Sequence, residues 1–562
     1  MKHITTILTI FFLSVKAENI EEYDYIIVGA GTAGSVLLKR LSENPSIKVL
    51  VLEAGEGPPV VAEFPAISLS LIRTKYTWNY TSLPSERIAH AVEERSIELG
   101  AGRLLGGTAM VNLNIYARGN KYDYDEWARN GAIGWDWKNV FPYFLRQEDN
   151  LNPEIVDNGY HGIDGDMPIQ FHEFSSPITE GYLEGAKATG YRLGDFNGPL
   201  QTVFSVPQTP NYKGRRWSTF QAFIKPSIGR RNLRIITSAF VIKILIDENN
   251  CAYGVLYEHK GHQCTAMANH EVIISAGTFG SPKLLMLSGI GPREVLESLQ
   301  IPMIADLPVG RNLHDHASTT GLQFQVNTFT FADHRITKEF YEDVLLNGKG
   351  PLTASGGVDA IGFINSKYNE QFDRPDIEIF LVSGSITTGT ALRTLLGPNE
   401  ELQHALNKFK DSDVITCIPF VARAKSRGTL ILNSTDPYEK PLIDLNYFSH
   451  PYDIKILIEG MRYCLKLAST EPMRRFGARP LPYVMPGCEK YEWLSDGYLE
   501  CMAITFPFAA HHFTGTVNNV KGLRVVDASV IPNNIGCHTM APVMMIADKV
   551  SDYILDDYKR NY

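Results

Sequence analysis

The chain has 562 residues, 44% of them hydrophobic and 20% charged, with a net charge of −9. That length exceeds what one hydrophobic core organises, so at least two domains are expected. The acidic balance argues against a nucleic-acid partner. The basic clusters Lys213-Gly-Arg-Arg216 and Arg230-Arg231 are short, are not interleaved with aromatics in a repeating way, and read as solvated surface.

The first seventeen residues differ from the rest. Lys2 and His3 precede an apolar stretch from Ile4 to Val15, and Val15-Lys16-Ala17 offers a small-residue cleavage site. This reads as a secretory signal peptide. It is short for a membrane span, and no later stretch reaches the ~18 uninterrupted apolar residues that a span requires. Asn79-Tyr80-Thr81 and Asn433-Ser434-Thr435 are sequons that an exported chain could glycosylate. Export also permits disulfides. Of the seven cysteines, Cys488 and Cys501 flank a polar segment and are the first expected pair. Cys251 and Cys264 flank an expected hairpin and are the second. An odd count leaves at least one free thiol, with Cys537 beside His538 as the candidate. No C-x-x-C or H-E-x-x-H spacing occurs, so no metal site is expected.

The mature chain opens on its most informative stretch. An apolar run from Tyr25 to Val28 predicts a strand, broken by Gly29, Gly31 and Gly34 in G-x-G-x-x-G spacing. Val36, Leu37 and Leu41 then recur at helical spacing, and a second strand-like run from Lys48 to Leu52 ends on Glu53. This is a βαβ unit for a dinucleotide. Gly29 permits the tight turn, Gly31 lets backbone approach a pyrophosphate, and Gly34 lets helix pack on strand. The helix N-terminus offers unpaired N–H groups to phosphate. Glu53 stands where an acid accepts from ribose hydroxyls, and its charge disfavours a 2′-phosphate.

Arg103-Leu-Leu-Gly-Gly-Thr-Ala109 is a second glycine-rich turn, followed by Asn112 and Asn114. Small residues there would let backbone lie against a flat ring. From 130 to 230 the βαβ rhythm is lost, as if a second region were laid over the first. Strand patterns return at Leu233–Ile236, Val241–Ile246, Tyr253–Tyr257 and Glu271–Ser275. The last runs into Ala276-Gly-Thr-Phe-Gly-Ser-Pro282 and a predicted helix, Lys283 to Leu287. From about 320 to 500 strands and helices mix. The nucleotide fold resumes with His511-His512-Phe-Thr-Gly515, the strand-like Gly522 to Ser529 with Asp527 and Ala528 at its end, and a final amphipathic helix from Ala541 to Leu555.

These motifs together resemble the glucose–methanol–choline (GMC) flavin oxidoreductases over nearly the whole chain. Gly29-x-Gly31-x-x-Gly34 with Glu53 is similar to the family's FAD fingerprint. Gly102-Arg103 through Asn112 to Arg118-Gly119 is similar to its first signature. Gly277-Thr-Phe-Gly-Ser-Pro282 through Gly291 matches its second signature at every restricted position. Val309-Gly-Arg-Asn-Leu-His-Asp-His316 and Gly522 to Ser529 complete the set. Arg118-Gly-Asn-Lys-Tyr-Asp-Tyr-Asp-Glu-Trp127 and the secretory start resemble the arthropod branch. Two departures stand near the flavin by analogy: Ala109 replaces a frequent hydroxyl residue, and Val517 to Lys521 is shorter than usual.

The resemblance implies an α/β FAD-binding domain (22–150, 231–318 and 511–562) under a discontinuous α+β substrate cap (151–230 and 319–510). It implies FAD on Gly29, Gly31, Thr32, Ala33, Gly34, Glu53, Ala54, Arg103, Gly107, Thr108, Asn112, Val241, Asp527 and Ala528. It implies His512 as the base and His538 as partner to the substrate oxygen. Histidine suits the task because its ordinary pKa lies near 6.5. His511, His314 and His316 read as structural. The expected chemistry is oxidation of an alcohol by hydride transfer to the flavin, with O2 or another acceptor. Phe506, Pro507 and Phe508 suggest an apolar wall, hence an aromatic or hydrophobic alcohol such as a cyanohydrin. A sugar dehydrogenase, an FAD-containing hydroxynitrile lyase and a non-catalytic binding protein remain as alternatives.

Overall fold

In the computed structural model, described over residues 21–515 and 522–561, the first sheet is built on the predicted βαβ unit. Its strands run Leu233–Ile236, Val49–Leu52, Glu21–Val28 and His262–Ile274, all parallel, with Leu523–Val525 joining the far end of the last. Ala252–His259 and Ala239–Ile246 extend it as an antiparallel excursion. Ile26 and Val28 point into one core and Tyr25 and Ile27 into the other, so the first strand is buried on both faces. That explains why it reads as a continuous apolar run. The helix Thr32–Ser42 packs beside it because residue 34 has no side chain: a Cβ there would lie 1.9 Å from the Gly29 carbonyl oxygen. The predicted helix near 283 begins six residues earlier, as Gly277–Leu287, and the final helix runs Met540–Asn561.

The second sheet has eight strands. At its centre Val358–Ile364, Ile377–Val382 and Val414–Val421 pair antiparallel, and every residue of the three is buried. One face carries Cys417, which is bonded to Cys464 of the helix Pro451–Ala468. The other face, with Phe380, Ile418 and Phe420, turns towards the first sheet and walls a cavity. The short strand Ala317–Thr319 pairs with both Val414–Val421 and Pro507–Ala509, so it spans the expected domain boundary at residue 318.

The disulfides correct part of the sequence reading. Cys488 and Cys501 are bridged, and Cys251, Cys264 and Cys537 are free. Register explains why Cys251 does not meet Cys264. With Gly254 opposite Met267, Cys251 falls level with residue 270, about 20 Å along the strand from Cys264. The Cys417–Cys464 bridge closes 47 residues of chain between a strand and a helix, and no local pattern marks it. The leader and Val517 to Lys521 lie outside the described residues. Among those described, no helix is long and apolar enough to cross a membrane.

Replacing Cys417 and Cys464 with alanine should destabilise more than replacing Cys488 and Cys501, whose bridge spans 13 residues. The difference in chain entropy is about 1 kcal/mol. Urea unfolding of the two double variants measures it, and equal midpoints would contradict that account.

Candidate active site

One large cavity lies between the two sheets. It is lined by Gly29, Gly31, Thr32, Ala33, Glu53, Ala54, Gly107, Thr108, Asn112, Val241, Asp527 and Ala528, and also by His512 and His538. Two expected cofactor residues stand outside it. Gly34 serves helix packing. Arg103 lines an adjoining pocket with its guanidinium 4.9 Å above the Trp78 ring.

The two glycine-rich turns face each other across the cavity. Gly106 N–H donates to the Ala30 carbonyl, and a Cβ on Gly107 would lie 2.6 Å from the Gly31 Cα. Gly107 also has φ of 57°, where side chains are strained. Glu53 is buried, and its two oxygens accept from Ala30 N–H at 2.9 Å and Gly55 N–H at 2.8 Å. Burial pushes its pKa up, and the two N–H groups oppose the shift. Each oxygen keeps a lone pair for a ribose hydroxyl. Asp527 does not aim its carboxylate at a ligand. It accepts from Gly277 N–H, Ser281 Oγ and Ser529, and so ties the C-terminal strand to the second glycine-rich helix start. Arg216, read from sequence as solvated, is almost fully buried. Its guanidinium donates to Ala109 O, Asn112 Oδ1 and Ser68 Oγ, which fixes the loop after the second glycine turn.

The histidines converge at one end. The rings of His512 and His538 stand 4.7 Å apart, edge to face. His538 is stacked on Phe380 at 5.3 Å, and its Nε2 lies 2.9 Å from Glu378 Oε1. His512 N–H donates to Asp315 Oδ1 at 2.7 Å, and its Nδ1 lies 3.0 Å from Nδ1 of His316. Its Nε2 has no protein partner among the described residues. Burial, with the neighbouring His538 and His316, holds the His512 pKa well below 6.5. Burial likewise lowers His316 to about 3 and raises Asp315 to about 6. Asp315 Oδ2 also accepts from the Tyr447 hydroxyl. His511 lines the cavity with Nε2 on the Glu98 carbonyl, and His314 bonds the Asn312 carbonyl.

Sequence reasoning missed Glu378, Phe380, Asp315 and Tyr447, and placed His316 only as packing. Glu378 lies on a strand 160 residues before His538, so nothing in its neighbourhood marks it.

A nucleotide-binding sheet, paired glycine turns that leave room only for backbone, a buried acid lining the cavity and a two-histidine end define a flavin oxidoreductase. The comparisons agree. The GMC oxidoreductase pattern matches residues 23–318, and again 424–518 and 515–547. The chain belongs to the GMC oxidoreductase family, whose cofactor is FAD and whose members act on CH–OH donors. It is 32% identical to glucose dehydrogenase [FAD, quinone] of Drosophila melanogaster, over 95% of this chain and 87% of that one. It is 33% identical to ecdysone oxidase of Bombyx mori, over 96% and 83% respectively. A variant of formate oxidase from Aspergillus oryzae superposes with a TM-score of 0.83 at 27% identity, covering 97% of this chain and all of that one.

Two outcomes test the site. Gly107→Val should give folded but colourless protein, because the new side chain meets the Gly31 backbone; flavin absorbance retained at the parent level would refute the cradle. The pH profile of kcat/KM should rise only below pH 6.5 and be flat above it, since His512 binds its proton weakly and is already neutral there. A limb centred above pH 6.5 would assign the base to another group.

Proposed function

We propose that this chain is a secreted FAD-dependent oxidase of hydrophobic alcohols, with aromatic alcohols and mandelonitrile-type cyanohydrins as first substrates. The supporting observation is the chamber in front of the histidine pair. Its wall is Phe380, Phe420, Phe508, Val382 and Ile418, and Ile386, Leu392, Leu395 and Leu396 lie over it. A sugar would bury several hydroxyls there, each costing about 1–3 kcal/mol if left unpaired. The expected leader and two disulfides support secretion.

The residues divide the work as follows. The substrate hydroxyl lies between the two rings, and His512 Nε2 takes its proton. His316 and Asp315 hold His512 at Nδ1 and at its backbone N–H, so the ring presents Nε2 to the cavity. Glu378 and Phe380 fix the plane of His538, which steadies the developing alkoxide. The packed wall excludes water from the carbinol. FAD held on the glycine turns and Glu53 would supply the two-electron acceptor for the carbinol carbon. The alcohol leaves as its carbonyl, and O2 carries away two electrons and two protons as hydrogen peroxide.

Anaerobic mixing with benzyl alcohol and with mandelonitrile should bleach the flavin, and air should then yield peroxide. Bleaching by glucose in preference would favour a sugar dehydrogenase. Release of aldehyde and cyanide without bleaching would mean a lyase. His512→Ala should slow bleaching by about 10²–10⁴-fold while FAD stays bound; a change of only a few-fold would withdraw its role as base.

A further inference from the structure

On its cap side the chamber carries a hydroxyl that the described residues leave without a partner. On the cavity face of the second sheet, side chains fall in rows set by strand register. Glu378 stands opposite Phe420, Phe380 opposite Ile418, and Val382 opposite Thr416. Four residues separate the first row from the last, about 13 Å of strand. Glu378 holds His538, so the first row marks the catalytic end. Beyond it the rows are apolar apart from Thr416, whose hydroxyl is already committed to the Gly384 carbonyl.

Thr320 borders the same face. It follows the strand Ala317–Thr319, in which Ser318 lies opposite Phe420, so Thr320 continues the row of Ile418 and Phe380. It lines the cavity and is only 3% exposed, yet its Oγ1 has no hydrogen-bond partner among the described residues. A buried hydroxyl without a partner is costly, and buried polar groups are paired in the great majority of cases. His316, which touches the proposed base, lies four residues earlier, about 13 Å away along extended chain. The chamber thus has a polar catalytic end, apolar rows beyond it and, on the flanking strand one row past that end, a free hydroxyl.

We infer that Thr320 is a second recognition point, and that the substrate is an elongated apolar alcohol with a second hydrogen-bonding group remote from the carbinol. This rests on the hydrophobic-alcohol reading above. The remote group pairs with Thr320 Oγ1 when the carbinol lies at His512, and an alcohol lacking it leaves that hydroxyl bare. Chain length then matters, because the two polar ends must be met together.

The holoenzyme tests this with straight-chain α,ω-diols from hexanediol to dodecanediol, each against the alkanol of equal length. One diol length should exceed its alkanol in kcat/KM by about two- to tenfold, the value of one neutral hydrogen bond. Thr320→Val, of nearly the same shape, should abolish that preference and leave the alkanols within twofold. Thr320→Ser should keep it. Diols no better than alkanols at any length, or an equal loss for both in Thr320→Val, would overturn the assignment of Thr320. Bleaching by glucose but by no alkanol or diol would overturn the reading beneath it as well.

Discussion

A single buried carboxylate holds the reacting end of the molecule together. Asp315 lies on the loop between the nucleotide sheet and the cap. One of its oxygens takes the His512 backbone N–H and the other the Tyr447 hydroxyl, while its own carbonyl accepts from the Asn534 side chain. Four segments distant in sequence meet there. A hydrogen bond to a charged group is worth about 1.5–3 kcal/mol, and a buried one that loses its partner costs more. The junction ties down the His512 backbone directly and, through Asn534, the segment that leads to His538.

The same burial sets the electrostatics. A site wrapped in Phe380, Phe420 and Phe508 penalises charge, so His512 and His316 stay neutral where a solvated imidazole would begin to protonate. A base that binds its proton weakly is always available but pulls less strongly. The surrounding groups compensate by geometry: with His316 at Nδ1 and Asp315 at the backbone, the proposed base keeps its other ring nitrogen for the cavity. The positioning of the pair, more than the basicity of either ring, is what the fold supplies.

The nucleotide half also depends on what is absent. Glycines at 31 and 107 bring two turns to within backbone contact, and Arg216 holds the second turn from beneath. The small-residue stretch expected to lie against a flat ring forms one wall of the cavity once the first turn is set opposite it.

The sequence by itself determined the βαβ unit, the strands at 233–236 and 271–274, the terminal helix and the paired histidines. In each case the determinant is local: glycine spacing, apolar periodicity, or a motif short enough to survive as a string. The Cys488–Cys501 bridge was legible for the same reason, since 13 residues of chain keep its ends close. Only the tertiary structure decided the rest. Glu378 reaches His538, Cys417 reaches Cys464, Arg216 turns inward, and Thr320 joins the row of Ile418 through strand register. Each of these depends on pairings across long stretches of chain. A one-residue slip in register would turn each strand residue to the opposite face, and no local pattern encodes which face meets the cavity.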